Sequence, residues 1–162
     1  MLSTCDLCDA HKGDASGAFR VLPPGFKSYG ARPAFCGLVV TVQCFEDNTQ
    51  VKAAVDAPGQ GRVLVVDAAT GIQRAVLGGN LGAAAARNGW AGVVVNGCVR
   101  DVAELRVCEV GIYALGHMPL PTIKRDQGLR DVAVQIQGVW VRPGDWLAAD
   151  EDGIVVAEQA LI

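Results

Sequence analysis

Apolar residues recur along this chain with two different periods, and the switches between them mark out the elements. Ser3 or Thr4 stands at capping distance ahead of Asp6 and Leu7, which predicts a short helix to about His11. The segment from Val21 to Phe26 carries Pro-Pro-Gly and reads as a loop. Residues 34–45 read as a strand, with Cys36, Leu38, Val40 and Val42 on one face. Asn48 then caps a helix through about Val55, closed off by Pro58-Gly59-Gln60-Gly61. Arg62 to Asp67 is an apolar run without alternation, the pattern of a strand buried on both faces.

An Ala-rich helical run from Leu81 to Asn88 is followed by a β-branched run from Ala91 to Val95, an αβ unit. Val102 to Cys108 reads as a helical turn and Ile112 to Leu115 as a strand, and Pro119 and Pro121 then interrupt regular structure. Val132 to Gln137 and Val139 to Arg142 flank Gly138 as a hairpin. Pro143-Gly144-Asp145 turns the chain into strands over Trp146 to Ala149 and Ile154 to Ala157. Asp150-Glu151-Asp152-Gly153, between those two strands, looks superficially like a calcium loop. It lacks the third acidic ligand before the glycine and joins strands rather than helices, so a hairpin turn is expected. Parallel-type units in the middle and hairpins at the end predict a mixed α/β fold, one domain over residues 1–162.

Composition adds size and surroundings. A chain of 162 residues can bury roughly 70% of its unfolded surface as one domain. With 51% hydrophobic residues and a mean hydropathy of +0.28, part of the folded surface is expected to be hidden between subunits. The net charge is −3, and cations gather only loosely at Lys124, Arg125 and Arg130, which argues against direct nucleic-acid binding. The N-terminus has no basic n-region or apolar h-region, and no apolar run approaches the eighteen or so residues of a membrane span, so a cytoplasmic protein without membrane partners is expected. Cys5, Cys8, Cys36, Cys44, Cys98 and Cys108 are expected to be free thiols, mostly buried. Cys5 and Cys8 form Cys-x-x-Cys with no second ligand pair for zinc. Neither His11 nor His117 sits in a phosphocarrier setting.

The candidate chemistry lies in Gly78-Gly79-Asn80-Leu81 and in Arg100-Asp101 with Glu104. Arg100, Asp101 and Glu104 fall beyond the carboxyl end of a predicted strand, where open α/β sheets collect ligands. A helix entered through Gly78-Gly79-Asn80 offers backbone N–H groups to an anion such as a carboxylate. Mg²⁺ often takes only one or two carboxylates from a protein, and Asp101 suffices for that role. Arg100 beside such an ion suits an oxygen on which negative charge develops. The alternative for Arg100-Asp101 is a surface ion pair with Asp101 as a helix cap. Asp67, at a strand end, is a turn former or a contributor from the neighbouring edge.

The chain resembles the RraA-like family, which includes the regulator of ribonuclease activity A and the 4-hydroxy-4-methyl-2-oxoglutarate aldolases. The resemblance rests on Gly79, Arg100-Asp101 and Glu104 in one register, on Cys44-Phe45-Glu46-Asp47-Asn48, on Gly61 to Asp67, and on Pro143-Gly144-Asp145 followed by Ala149 to Gly153. It implies a swivelling β/β/α fold with a mixed sheet and flanking helices. It also implies a lyase dependent on Mg²⁺ or Mn²⁺ that splits 4-hydroxy-4-methyl-2-oxoglutarate into two pyruvates and decarboxylates oxaloacetate through the same enolate. By the same resemblance Gly78, Gly79, Asn80 and Leu81 hold the carboxylate of the 2-oxo acid, Arg100 binds substrate and enolate, Asp101 binds the metal, and Glu104 acts through a bridging water. A homotrimer or dimer of trimers is implied. The competing implication is a regulator that inhibits the degradosome endoribonuclease; members known only as regulators can lack the aspartate that stands here as Asp101. Some aldolases of the family use an acidic residue of a neighbouring subunit near an extended C-terminus. This chain stops at Ile162 soon after its last predicted strand, a departure from which a lower aldolase efficiency is expected, and the sequence assigns no base for the hydroxyl proton.

Overall fold

Burial of β-branched side chains on both sides of one sheet dominates the computed structural model, which describes residues 1–162. In chain order, α1 (Thr4–His11) leads through β1 (Phe19–Val21) and β2 (Lys27–Ser28) to β3 (Phe35–Gln43), α2 (Thr49–Asp56) and β4 (Val63–Asp67). Then come β5 (Ala75–Leu77), α3 (Gly79–Arg87), β6 (Gly92–Val99), α4 (Val102–Leu105) and β7 (Gly111–His117). The last part holds β8 (Leu129–Arg130), β9 (Val134–Ile136), β10 (Val139–Val141), β11 (Trp146–Asp150) and β12 (Gly153–Ala157).

Ten strands form one mixed sheet in the order β1-β12-β11-β3-β4-β6-β7-β2, with β5 added to β6 and β8 to β3. Strands β3, β4, β6 and β7 are parallel, and the β1-β12-β11-β3 side is antiparallel, as the middle units and terminal hairpins predict. Leu64, Val66, Val93 and Val95 face α2 and α3, whereas Val63, Val65 and Val94 face Val134, Ile136 and Val141 of the separate β9-β10 hairpin. Every residue of β4 is buried, because layers cover both of its faces. No helix is long and apolar enough to cross a membrane.

Several expectations shift. The two-period reading puts Leu38 with Val40 and Val42, yet Leu38 is half exposed and Val39 is buried in the second core. The reason is a change of partner: β3 pairs with β11 through Leu38 and with β4 from Val39 onward, where both faces are covered. Short edge strands β1, β2, β5 and β8 escape sequence reading, since two or three residues carry no periodicity. Only Cys44, Cys98 and Cys108 of the six free cysteines are buried, so the thiols are not mostly interior. Burial pushes the Cys44 thiol up to about 12, out of reach of neutral-pH chemistry. Ser3 caps α1 as expected, accepting from the Asp6 N–H at 3.1 Å. The Asp150 carboxylate is taken up by the Thr4 N–H at 2.7 Å and the Thr4 hydroxyl at 2.6 Å, so the β11-β12 turn anchors α1.

Two glycines in adjacent strands make room for one ring. A Cβ on Gly111 would lie 2.0 Å from Phe35 Cδ1, and one on Gly92 would lie 2.3 Å from Phe35 Cε2. Gly111→Ala is therefore expected to destabilise the fold by about 1–3 kcal/mol through overpacking, measured by chemical denaturation. An unchanged midpoint would mean that the Phe35 ring has room to move aside.

Candidate functional site

The site begins where β5 turns into α3. Gly78 is the extended N-cap, and α3 starts at Gly79, two residues before the predicted Leu81, because glycine makes a weak helical signal. The Arg100 N–H donates to Leu77 O at 2.9 Å, tying the end of β6 to that turn. Asp101 then adopts a left-handed backbone (φ 59°, ψ 47°), unusual for a residue with a side chain. That turn carries its carboxylate over the start of α3, where Oδ2 accepts the Gly79 N–H at 2.9 Å. Arg100 Nε stands 4.0 Å from the same oxygen, and Arg100 Nη1 lies 3.5 Å from Pro119 O.

Gly78 to Leu81, Arg100 and Asp101 thus line one cleft of about 340 Å³ at the carboxyl ends of β5 and β6. The first intrahelical bond of α3 runs from Gly82 N–H to Gly78 O, and Asp101 occupies the Gly79 N–H. The N–H groups of Asn80 and Leu81 are left for an anion. The glycines have a second reason to be glycines. A Cβ on Gly78 would fall 2.7 Å from Asp101 Oδ2 and 3.3 Å from Arg100 Nε, and one on Gly79 would fall 1.9 Å from Glu104 Oε2. Close approach of three charged side chains to a helix start needs bare backbone there.

The alternative for Arg100-Asp101, a surface ion pair with Asp101 as a helix cap, describes part of the geometry, since the exposed pair and the N-cap position are both present. Asp101 occupies the N-cap position of α4, but its side chain makes no bond to that helix. Its ion pair with Arg100 is long, with both side chains about two-fifths exposed (40% and 38%), so it adds little stability. Glu104 rests against Gly79 outside the cleft lining. Asp67 lies elsewhere: its Oδ1 accepts the Ala69 N–H at 2.9 Å and Asn96 Nδ2 at 3.1 Å, in a separate polar cleft under the β9-β10 hairpin. His117 is paired with the Tyr29 hydroxyl, and His11 with Leu7 O. A larger cleft of about 810 Å³ surrounds Arg20 and Asp145, whose charges already neutralise each other at 3.1 Å.

One residue important to the site went unassigned in the sequence. Asp47 is buried and ties the start of α2 to residues 125–127: Oδ1 accepts the Thr49 N–H and hydroxyl at 2.9 and 2.6 Å, and Oδ2 accepts the Arg125 and Gln127 N–H groups at 2.6 and 3.3 Å. It does the capping expected of Asn48, which occupies the N-cap of α2 but makes no side-chain cap bond. Desolvation raises the Asp47 carboxyl, yet these four bonds outweigh it and hold the group below the usual carboxylate range. A depressed folded pKa stabilises above the unfolded value, near 3.9, and that contribution is lost as pH falls through the folded value. Asp47→Ala is expected to cost about 1–3 kcal/mol, and its deficit against the wild type should shrink in strong acid. Equal deficits at neutral and acid pH in denaturant titrations would exclude the charged form as the source.

A family model described as Aldolase/RraA matches residues 4–156. A protein of Albidiferax ferrireducens named "Putative 4-hydroxy-4-methyl-2-oxoglutarate aldolase" is 64% identical over 99% of this chain and 97% of its own length. Two solved structures share the fold over nearly all of both chains. The RNA-processing inhibitor RraA from Thermus thermophilis has 41% identity and a TM-score of 0.93, covering 100% of this chain and 96% of its own. A structure from Geobacillus kaustophilus, titled as an S-adenosylmethionine: 2-dimethylmenaquinone methyltransferase, has 39% identity and a TM-score of 0.91, covering 99% and 97%. Three differently named activities on one fold leave the function to be argued from the site.

Proposed function

The chain belongs to the RraA-like family, and from that premise we propose that it is a metal-dependent aldolase cleaving 4-hydroxy-4-methyl-2-oxoglutarate into two pyruvates, with oxaloacetate decarboxylation at the same site. The observation that carries this reading is the Asp101 carboxylate bridged to the Gly79 N–H beside the Arg100 guanidinium, next to the unengaged N–H groups of Asn80 and Leu81. This cluster joins an anion cradle, a cation and a carboxylate in one cleft.

The donor set fits a hard divalent cation. Asp101 Oδ1 makes no hydrogen bond and is the oxygen of that carboxylate left for an ion. One carboxylate, with water and substrate oxygens completing the shell, is the arrangement Mg²⁺ or Mn²⁺ accepts. Asp101 would hold the ion, with Glu104 acting through a bridging water. When bound, the ion supplies Lewis-acid polarisation of the keto oxygen.

The residues of the chain do the rest. Asn80 and Leu81 donate their N–H groups to the 2-oxo acid carboxylate, orienting it from the helix start. Arg100 donates to the keto oxygen, and its hydrogen bond strengthens as that oxygen gains charge. In aldol cleavage water in the cleft takes the 4-hydroxyl proton, the C4–O bond becomes a carbonyl as the C3–C4 bond breaks, and the electron pair of that bond passes to the enolate oxygen beside Arg100. Protonation of C3 then yields the second pyruvate. With oxaloacetate the same bond breaks, carbon dioxide leaves, and the same enolate forms.

Pyruvate release from both substrates, with added Mg²⁺ or Mn²⁺ and after chelation, tests the reading. A metal-stimulated rate well above the free-metal blank is expected, and no release from either substrate would sink it. The same proposal includes a cytoplasmic location and, because Phe45, Ile72, Leu120 and Ile123 are exposed on loops at one end of the sheet, a homotrimer or dimer of trimers. Light scattering at micromolar concentration should report at least three chains; a monomer would overturn it. The second reading, inhibition of an endoribonuclease, is favoured by the likeness to the Thermus inhibitor. A pull-down with the endoribonuclease that succeeds equally for wild type and Asp101→Asn would support it independently of lyase activity.

A further inference from the structure

The second core, between the sheet and the β9-β10 hairpin, ends in a polar row. Thr41, Val65 and Val94 lie side by side on β3, β4 and β6, and two residues further along the same face Gln43, Asp67 and Asn96 are again in register. The row stands at the carboxyl ends of β3 and β4, where open α/β sheets collect ligands. Asp67 is only 9% exposed and Asn96 2%, so these polar groups need partners.

The hairpin tip closes over the row and organises it. Gln137 (φ 50°) and Gly138 (φ 81°) make a two-residue turn between β9 and β10, in which Asn, Asp or Gly commonly takes the first place. Gln137 reaches further: its Nε2 donates to Asn96 Oδ1 at 2.8 Å, and Asn96 Nδ2 in turn donates to Asp67 Oδ1 at 3.1 Å. The Ala69 N–H donates to the same carboxylate oxygen at 2.9 Å. The other oxygen, Oδ2, has no hydrogen bond and is not closed off, so it opens on the cleft of about 610 Å³ that this row lines. At the rim Ala69 and Thr70 both hold a left-handed backbone (φ 55° each), which is strained for a β-branched threonine.

Everything the cleft offers attracts positive charge. No ion pair includes Asp67 and no cation lines the cleft, so its carboxylate is uncompensated there. Gln43 and Gln135 bring amide groups that make no hydrogen bond, and Trp140, 44% exposed, brings an indole. Arg142, from the neighbouring cleft around Arg20, already places its guanidinium 5.6 Å from the centre of that ring. Anions such as the 2-oxo acids are disfavoured by the same carboxylate.

We propose that this cleft is a second binding site, for a small organic cation with an ammonium or guanidinium head. Asp67 Oδ2 accepts from the head group, the amide oxygens of Gln43 and Gln135 take its remaining N–H groups, and Trp140 covers the apolar stem. Asn96 and Gln137 are positioning residues, which fix the carboxylate through Oδ1 and leave Oδ2 to the ligand. The site rests on no part of the aldolase reading.

An NMR titration of the ¹⁵N-labelled full-length protein tests it. Of the three tryptophans, Trp90 and Trp146 are each 3% exposed, so the Trp140 indole signal reports on the cleft. Butylguanidine is compared with butylurea, a neutral counterpart of nearly the same shape, with and without excess Mg²⁺. The wild type should bind the cation on the order of tenfold more tightly, the size of one charge-assisted hydrogen bond. Asp67→Asn can keep both bonds now made to Oδ1 but turns a donor towards the cleft, so it should remove that preference while the Ala69 amide signal of the free protein stays in place. Trp140→Leu, at an exposed position and read at the Ala69 amide, should weaken binding about threefold. Asp101→Asn should bind the cation as the wild type does. Equal binding of the two probes, no shift at about 10 mM butylguanidine, or a preference that survives Asp67→Asn would each overturn the site. Loss of binding in Asp101→Asn would move the cation to the other cleft, and displacement by Mg²⁺ would give Asp67 to a metal; either result also overturns it.

Discussion

Asp101→Asn is expected to bring metal-stimulated pyruvate release close to the blank while leaving the fold in place. Asparagine keeps the shape of the side chain, can still accept the Gly79 N–H through its amide oxygen, and tolerates the left-handed backbone that position 101 adopts. It lacks the negative charge that holds a hard divalent cation. Excess Mg²⁺ should therefore restore the rate only in part. Because the side chain is two-fifths exposed (38%) and buries no core volume, melting should stay within about 2 °C of the wild type. Oxaloacetate decarboxylation by Asp101→Asn at the full wild-type rate would rule out the metal-enolate mechanism and leave endoribonuclease inhibition as the better account.

Arg100→Lys should lower kcat on the order of 10²-fold or more, equivalent to about 2.7 kcal/mol of transition-state stabilisation, with a smaller effect on metal affinity. Lysine keeps the charge but gives up the planar fork, which lets Arg100 face the Asp101 carboxylate through Nε while Nη1 reaches Pro119 O. The loss should appear in kcat rather than KM if the guanidinium interacts mainly with the enolate oxygen. A change confined to KM would place Arg100 in ground-state binding alone. Since the Arg100 backbone N–H, not its side chain, ties β6 to the start of α3, the substitution should not loosen the site.

The αβ unit around the cleft could be read from the chain because its signals are local. An apolar run without alternation means a strand covered on both faces, and β4 and most of β6 are such strands. Gly78-Gly79 and Arg100-Asp101 could be paired because β6 ends where the intervening helix and strand return the chain to its starting edge. Which face of β3 would be buried was a different kind of question. It depended on β11 and β4, which come from distant parts of the chain, so Leu38 and Val39 exchange the places that period-two reading gives them.

Tertiary structure alone decided the rest of the site. Asp47 and Asn48 are neighbours in sequence with interchangeable capping chemistry, and only the approach of residues 125–127 makes the aspartate the hub, leaving the asparagine without a cap bond. Lys124 reads in sequence as one of several scattered cations, and becomes a wall of the cleft because Arg74 and Asp47 hold its strap there. The need for glycine at 78 and 79 shows the same division. The sequence by itself determined that a helix start with open N–H groups lies there, a property of three consecutive residues. That no Cβ can stand there, because Arg100, Asp101 and Glu104 close over it from some twenty residues away, is a matter of packing between segments, which no local pattern encodes.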